Sequence, residues 1–188
     1  MIIDYSRGVE SFYLKEHDRY RNPHEYRVQK VLGLLLDKLQ FLKMDATVLD
    51  FACGSGEAAL YLQLLYPSIK ISYSDPYTKE SLLKRISNAP FYEYTFKDVV
   101  NGALREKYTL ILISYAFHLV PDDMKVAFLV ELSINTEYLL LIHPHKKEKD
   151  CFGFSLIATT KYDQTVAYLY KSDYFIPSNL QPSSDGLL

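Results

Sequence analysis

The segment Val48–Gly56 constrains the fold of this chain more than any other part of its sequence. It begins as the end of a buried strand, carries Asp50 at that end, and passes through Gly54 and Gly56 into a predicted helix at 56–66. A strand that turns through glycines into a helix brings unpaired backbone N–H groups and a helix N-terminus to one place. Glycine is needed there because the turn requires unusual dihedral angles and a ligand must approach the backbone. The segment therefore predicts a site for a nucleotide-type cofactor.

The glycine turn alone fits two kinds of cofactor. Its spacing, Gly54-x-Gly56-x-x-Ala59, satisfies the dinucleotide fingerprint, in which a pyrophosphate lies over the helix N-terminus. Asp75 also follows near the distance expected for a ribose-binding acid. Asp50 argues against a dinucleotide, because a carboxylate at the strand end would repel the pyrophosphate. A ligand that carries an ammonium and a sulfonium would instead be attracted in a poorly screened cleft.

With an acid in this place, residues 48–56 resemble the first motif of the class I S-adenosylmethionine-dependent methyltransferases, hydrophobic-Leu-Asp-x-x-Cys/Gly-Gly-x-Gly. The resemblance extends over residues 46–171. It implies a single Rossmann-like α/β domain, with a mostly parallel seven-stranded sheet and a C-terminal antiparallel hairpin. It also implies S-adenosyl-L-methionine as cofactor, and the candidate cofactor-binding residues are Asp50, Ala52, Cys53, Gly54, Gly56, Asp75, Pro76, Asp98 and Ser114.

The resemblance assigns different parts of the cofactor to these residues. Asp50 and the two glycines would hold the methionine end, and Asp75 would accept hydrogen bonds from both ribose hydroxyls. The alternative for Asp75 is a cap on the following helix. Asp98 follows the third predicted strand and would contact the adenine amino group, although it could equally be a surface aspartate.

Composition points to one domain without a bulk electrostatic attraction to nucleic acid. A length of 188 residues suffices for a single core, and the net charge is −2 with a pI of about 6.2. RNA stays open, because a local basic rim could bind it. Two cysteines, one inside the glycine motif, argue against a disulfide framework and for a reducing compartment. Without an apolar run of ~18 residues or a signal peptide, we expect a cytoplasmic location, with the nucleus as an open alternative.

Apolar periodicity predicts alternating strands and helices after a helix that starts at Asn22-Pro23-His24-Glu25 and continues toward Leu42. The predicted strands are 46–51, 69–74, 91–96, 108–114 and 137–143, the further helices are 56–66, 78–86 and 121–132, and the hairpin joins 152–160 to 164–170. The link between His143 and Phe152 is too short for a crossover helix. The expected division is an N-terminal segment and helix that cover the cofactor cleft (1–45), the methyltransferase domain (46–171) and a loose tail (172–188).

Three histidines follow the fourth and fifth predicted strands, His118, His143 and His145. These strand ends are neighbours in the expected sheet, so the imidazoles could surround the acceptor and remove a proton from it. Core packing or a plain loop role is the alternative for each of them. A metal site built from the three is a further alternative. No acidic or cysteine partner is evident nearby, and we predict no metal.

The stretch before the first strand offers candidate acceptor-binding residues. Tyr13 and Tyr20 could close the pocket, and Arg21 could bind an anionic acceptor. The alternative is a solvated amphipathic segment whose charges nearly cancel.

These observations predict an S-adenosylmethionine-dependent methyltransferase whose acceptor is open between a small molecule, a protein and RNA. The strand-end motif of the Asn/Asp-Pro-Pro-Tyr type, which marks methylation of nucleobases or glutamines, is absent. Two alternatives belong to other classes: a non-catalytic S-adenosylmethionine-binding partner subunit and a nicotinamide-dependent reductase. No membrane partner is expected, and the sequence leaves the oligomeric state open.

Overall fold

The computed structural model describes residues 21–42, 45–144 and 150–177, and over these the chain forms one seven-stranded sheet with helices on both faces. The strands are β1 (Thr47–Phe51), β2 (Lys70–Ser74), β3 (Phe91–Tyr92), β4 (Tyr108–Ser114), β5 (Thr136–His143), β6 (Phe154–Tyr162) and β7 (Thr165–Ser172). The α helices are α1 (Glu25–Gly33), α2 (Glu57–Leu65), α3 (Lys79–Leu83), α4 (Phe96–Val100) and α5 (Lys125–Asn135), with short 3₁₀ turns at Leu36–Lys38 and Phe117–Leu119.

The sheet has the strand order β3-β2-β1-β4-β5-β7-β6. Strands β1 to β5 are parallel, and β7 runs antiparallel to both β5 and β6. The order reverses between β1 and β4, so the carboxyl ends of these two strands border the crevice where open α/β sheets bind ligands. This is the predicted fold, a mostly parallel sheet with a C-terminal antiparallel hairpin.

The central strand β4 is apolar on both faces because both faces of the sheet are covered. Leu110 and Leu112 belong to the core layer under α1, α2 and α3. Ile111 and Ile113 belong to the opposite layer, against α4 and α5. Alternation along β1 places Asp50 on the first of these faces, in register with Tyr73 of β2 and Leu112 of β4. Asp50 therefore lies at the switch point, on the face of the sheet that α2 covers.

Helix α1 differs from its prediction at both ends. It begins at Glu25, because Asn22 instead forms a turn in which its Oδ1 accepts a hydrogen bond from the His24 N–H at 2.9 Å. It ends at Gly33, and the apolar period is continued by the 3₁₀ turn, which still buries Leu35 and Leu39. A 3₁₀ turn repeats every three residues, so the same apolar spacing fits both conformations.

Three other elements have boundaries that differ from their predictions. Strand β3 has only two residues, because Thr95 and Asp98 form a capping box that starts α4 inside the region predicted as strand. The helix predicted from Pro121 begins at Lys125, after a turn closed by the Met124 N–H on the Pro121 carbonyl. Strand β7 continues to Ser172, the first residue of the predicted tail.

Between β5 and β6 no helix forms over the described residues, which leave out 145–149. Within the described ranges, none of the helices has the length and apolarity that a membrane crossing requires.

Candidate active site

The glycine turn after β1 is held open by left-handed backbone at alternate positions. Ala52, Gly54 and Gly56 have φ angles of 54°, 55° and 75°. The Cys53 N–H donates to the Ser74 carbonyl of β2 at 3.1 Å, and the Gly56 N–H donates back to the Cys53 carbonyl at 2.8 Å. This conformation makes Gly56 the N-cap of α2, and no side chain caps the first N–H groups of the helix.

Asp75 ties the loop after β2 to the glycine turn. Its Oδ2 accepts from the Gly54 N–H at 3.1 Å, and its Oδ1 accepts from the N–H groups of Tyr77 and Thr78 at 2.8 and 3.1 Å. The Thr78 hydroxyl donates to the Gly54 carbonyl at 2.8 Å. Because an ionised carboxylate has about four acceptor positions, one remains for a ligand. The carboxylate therefore closes a turn just before α3, whose N-cap is Thr78, and the contact of Asp75 with both ribose hydroxyls stays a prediction. Pro76 lies half-buried in this loop.

Asp50 is 1% exposed, and neither of its carboxylate oxygens has a hydrogen-bond partner in the described part of the chain. Burial raises its pKa well above the ordinary value, and the negative charges of Glu57 and Asp75 raise it further. The backbone N–H of Ala59 lies near enough to oppose the shift, but not in hydrogen-bonding geometry. A buried carboxylate without a partner is costly unless a cation or donor approaches it. Asp50 is thus the strongest indication of a ligand in this structure.

Unpartnered polar atoms collect around Asp50 at the ends of neighbouring strands. Among the described residues they include the hydroxyls of Tyr73, Ser74 and Ser114, each buried and without a hydrogen bond. Buried polar groups in folded proteins are almost always satisfied, so a cluster of exceptions at one sheet edge indicates a binding site. Ser114 was among the predicted cofactor-binding residues, whereas Tyr73 and Ser74 were missed because strand residues carry no motif.

A network around Arg85 supports the glycine turn from the side of α1. Arg85 Nη1 donates to the Ser55 carbonyl at 3.1 Å, and Nη2 lies 2.9 Å from Glu25 Oε1. The Ser55 hydroxyl donates to Glu57 at 2.8 Å. Burial raises the pKa of Glu57, and the contacts with Ser55, Asn22 and Arg85 oppose that shift. Burial also raises the pKa of the Cys53 thiol, and the contact of this residue with the cofactor stays a prediction.

Aromatic rings follow β3 where the loop passes the crevice. Tyr92 and Tyr94 stack with centroids 4.9 Å apart, and Phe96 packs against Phe51 of β1 at 5.8 Å. Asp98 is exposed, and its Oδ2 accepts from the Thr95 N–H at 2.8 Å within the capping box. The adenine contact assigned to Asp98 stays a prediction, and the capping box explains this carboxylate without it.

The structure describes two of the three predicted catalytic histidines, His118 and His143. His143 is 5% exposed, and its ring packs edge-on against Phe117 and Tyr168 at 5.9 and 6.0 Å. His118 lies in the 3₁₀ turn and is exposed. Alternation along β5 turns His143 into the apolar layer under α5, and the expectation that the imidazoles surround the acceptor stays a prediction. Their catalytic roles stay predictions. His145 lies outside the described residues.

Residues 22–27 contact both sides of the crevice. These sides are the β1 bank, formed by the glycine turn and the start of α2, and the β4 bank, formed by Tyr115 and the β6–β7 turn. On the β1 bank, Asn22 and Glu25 contact Glu57 and Arg85, as described above. On the β4 bank, the His24 ring stacks on Tyr115 with centroids 4.9 Å apart and an interplanar angle of 18°. Arg27 forms a 2.8 Å ion pair with Asp163 in the β6–β7 turn. That the whole segment 1–45 covers the cleft stays a prediction.

Of the predicted acceptor-binding residues, only Arg21 is described, and its side chain is exposed. Tyr13 and Tyr20 lie outside the described residues. Over the described ranges, no three His, Cys, Asp or Glu side chains gather as a metal site would require.

The sheet order, the crevice at the β1–β4 switch point and the glycine turn with its strand-end acid define the class. The chain has the fold of the class I S-adenosylmethionine-dependent methyltransferases, as the sequence motif predicted.

Comparisons with known proteins agree with this class. The chain is 27% identical over 160 residues to malonyl-[acyl-carrier protein] O-methyltransferase 1 of Ilyobacter polytropus, covering 81% of this chain and 54% of the relative. It is 25% identical over 184 residues to an uncharacterized protein of Schizosaccharomyces pombe, covering 77% of this chain and 74% of that protein. No protein family model matches the chain.

Among solved structures, magnesium protoporphyrin IX methyltransferase of Synechocystis, with S-adenosylmethionine bound, superposes with a TM-score of 0.62. The match covers 90% of this chain and 94% of that one at 16% identity, so it concerns the fold. The chain spans about half the length of the Ilyobacter enzyme.

We expect Asp75→Ala to weaken cofactor binding and also to lower the free energy of unfolding by about 1–3 kcal/mol, because three backbone N–H groups lose their acceptor. Urea unfolding and isothermal titration with S-adenosylhomocysteine measure the two effects. Asp98→Ala is the companion variant: it also removes a carboxylate that accepts from a backbone N–H, and its cofactor affinity tests the predicted adenine contact. Equal affinity losses in the two variants would favour the adenine contact of Asp98, and a folded Asp75→Ala protein with normal affinity would leave Asp75 only its role in the turn.

Proposed function

We propose that this protein is an S-adenosylmethionine-dependent methyltransferase. The observation that carries the proposal is Asp50, a buried and unpartnered carboxylate beside the glycine turn and the N-terminus of α2, which no side chain caps. S-adenosylmethionine carries an ammonium and a sulfonium, which meet the need of that carboxylate for a cation. The S-adenosylmethionine bound to the Synechocystis enzyme of the same fold supports this cofactor.

The same charges argue against a nicotinamide dinucleotide. Asp50, Glu57 and Asp75 are all at most 7% exposed and lie around the turn where a pyrophosphate would have to bind. Each raises the electrostatic cost of a second anion in a region of low dielectric. The reductase alternative therefore loses its support.

The proposal assigns a binding role to Asp50, to Asp75 and to the aromatic rings near β3. The bound cofactor supplies an activated methyl group, so the protein's contribution is to align the acceptor for displacement and to exclude water. Asp50 would bind the cationic methionine end, with the N–H groups at the start of α2 beside it. Asp75 would offer its remaining acceptor position to the ribose, and the rings after β3 give the adenine a flat apolar surface.

For the acceptor, we infer that a carboxylate oxygen is the first class to test. The support is the similarity to an O-methyltransferase that acts on a malonyl-[acyl-carrier protein]. A carboxylate is also ionised at neutral pH and needs no general base. A carboxylate panel would consist of acetate, malonate and benzoate as free acids, and malonyl-[acyl-carrier protein]. The panel also tests the alternative of a non-catalytic partner subunit, which would bind cofactor and methylate nothing.

Cofactor identity can be tested by titration calorimetry at several pH values. Because a cation favours ionised Asp50, and the pKa of Asp50 is raised in the ligand-free protein, binding should release protons. The affinity for S-adenosylmethionine should therefore rise from mildly acidic to neutral pH, while NAD should not bind. Tight NAD binding, or an affinity for S-adenosylmethionine that falls as the pH rises, would contradict the proposal.

A further inference from the structure

His24 was not among the histidines predicted to take part in chemistry, yet it is the described histidine fixed at the crevice. One face of its ring stacks on Tyr115, the residue that directly follows β4. Tyr115 is itself held in a left-handed conformation, with φ of 57°, by its N–H on the Ile142 carbonyl and its hydroxyl on Thr165. Such a backbone angle persists in a tyrosine only where the surroundings enforce it.

The contact between His24 and Arg27 decides the tautomer of the imidazole. Arg27 Nη1 lies 3.3 Å from His24 Nδ1. A guanidinium has donors and no acceptor, so Nδ1 must accept and cannot carry a proton. Burial lowers the pKa of His24, and the positive charge of Arg27 lowers it further. The ring is therefore neutral at physiological pH with its proton on Nε2, which makes it a hydrogen-bond donor at that atom and not a base.

The neighbours of His24 in the chain place its ring at the crevice. Arg27 is anchored to Asp163 in the β6–β7 turn, on the β4 bank of the crevice. Asn22, two residues before His24, contacts Glu57 at the start of α2, on the β1 bank. Because Nδ1 is taken by Arg27, Nε2 is the ring nitrogen that remains for a ligand.

We propose that the Nε2–H of His24 binds one oxygen of the acceptor carboxylate, which makes His24 a specificity-determining residue for the proposed reaction. The inference rests on the proposed function. The second carboxylate oxygen forms the bond to the methyl carbon while the sulfur–methyl bond breaks, and that electron pair stays on sulfur. No proton has to leave, so a fixed donor suits this acceptor better than a base. Arg27 positions His24 by selecting the tautomer.

The tautomer can be tested without any knowledge of the acceptor. In ¹⁵N-histidine-labelled full-length protein at neutral pH, the His24 resonances should show an unprotonated Nδ1 and a protonated Nε2, with His24→Gln used for assignment. In Arg27→Met the preference should be lost. A protonated Nδ1 in the wild-type protein overturns the proposal.

Methyl transfer to the carboxylate panel tests the role of the donor. His24→Gln keeps an N–H near the position of Nε2 but cannot take up a proton, and it should retain activity close to wild type. His24→Phe keeps the stack on Tyr115 without the donor, and it should raise the acceptor KM about 10–100-fold with unchanged affinity for S-adenosylhomocysteine. The free acids and the carrier-bound malonyl group distinguish the two sources of the carboxylate.

Three outcomes overturn the proposal. Equal losses in both variants, with loss of the pH dependence of kcat, would make His24 a base. A wild-type acceptor KM and kcat in His24→Phe would show that His24 only packs against Tyr115. A wild-type protein that binds cofactor and methylates hydroxyl or amine acceptors but no carboxylate would exclude the acceptor class. A protein that binds no cofactor would instead contradict the proposed function.

Discussion

Replacing Asp50 with asparagine should abolish tight cofactor binding and at the same time make the ligand-free protein more stable at neutral pH. Because the pKa of Asp50 is raised in the folded state, the stability that its protonation contributes is present at low pH and is lost as the pH rises through that pKa. Asparagine cannot ionise, so the variant does not lose this stability as the pH rises. We expect a gain of about 1–3 kcal/mol in unfolding free energy, together with a drop in affinity of about 10–150-fold.

Thermal and urea unfolding across pH, with titration of S-adenosylhomocysteine, would measure both effects. Asp45→Asn is the matched control, because Asp45 is exposed, pairs with Lys70 at 2.9 Å, and has its pKa lowered by that contact. It should bind cofactor normally and gain no stability. An Asp50→Asn protein that is less stable than wild type at neutral pH would show that Asp50 has a stabilising partner in solution.

Gly56→Ala should be the most destabilising single substitution in the glycine turn. A Cβ at this position would lie 2.4 Å from Leu82 Cδ1 and 3.3 Å from the Tyr73 ring, and φ is +75°. The left-handed backbone costs about 1–2 kcal/mol for a residue with a Cβ. Displacing the buried Leu82 side chain adds to this, and we expect a total loss of about 2–4 kcal/mol. Movement of the turn should also weaken cofactor binding.

Gly102→Ala separates the two contributions. Gly102 has a similar φ of +79°, but a Cβ there would meet nothing within 4 Å. It should therefore lose only the backbone part, about 1–2 kcal/mol, with cofactor affinity unchanged. Chemical denaturation of both variants gives the difference. Equal losses would mean that Leu82 moves aside at no cost and that the turn tolerates the added methyl group.

The sequence predicted the sheet and the glycine turn because both depend on local patterns. Strand β4 follows from its continuous apolar run, and the glycine turn from its motif, since each is readable within ten residues. Asp50 and Ser114 follow from the rule that ligands bind at strand ends. Strand β3 was overestimated because a capping box inside it favours a helix start.

The acceptor side could not be read in this way, because it depends on contacts between distant parts of the chain. His143 stands at a strand end, but the register of β5 turns it toward Phe117 and Tyr168. His24 precedes the fold's first strand by more than twenty residues and reaches Tyr115 only after α1 has packed on the sheet. Its tautomer depends on Arg27, which lies three residues later in the chain. The sequence contains this pair of residues, but no known motif distinguishes it.

If S-adenosylmethionine binds at the unpartnered Asp50, we expect the folded fraction of this protein to depend on the supply of that ligand. A ligand that binds only the folded state stabilises it by about 2.7 kcal/mol when its concentration is a hundred times its dissociation constant. If S-adenosylmethionine is that ligand, a cell rich in methyl donor holds more of the chain folded. When the donor is scarce, Asp50 is left uncompensated, and quality-control proteases meet more of the unfolded chain.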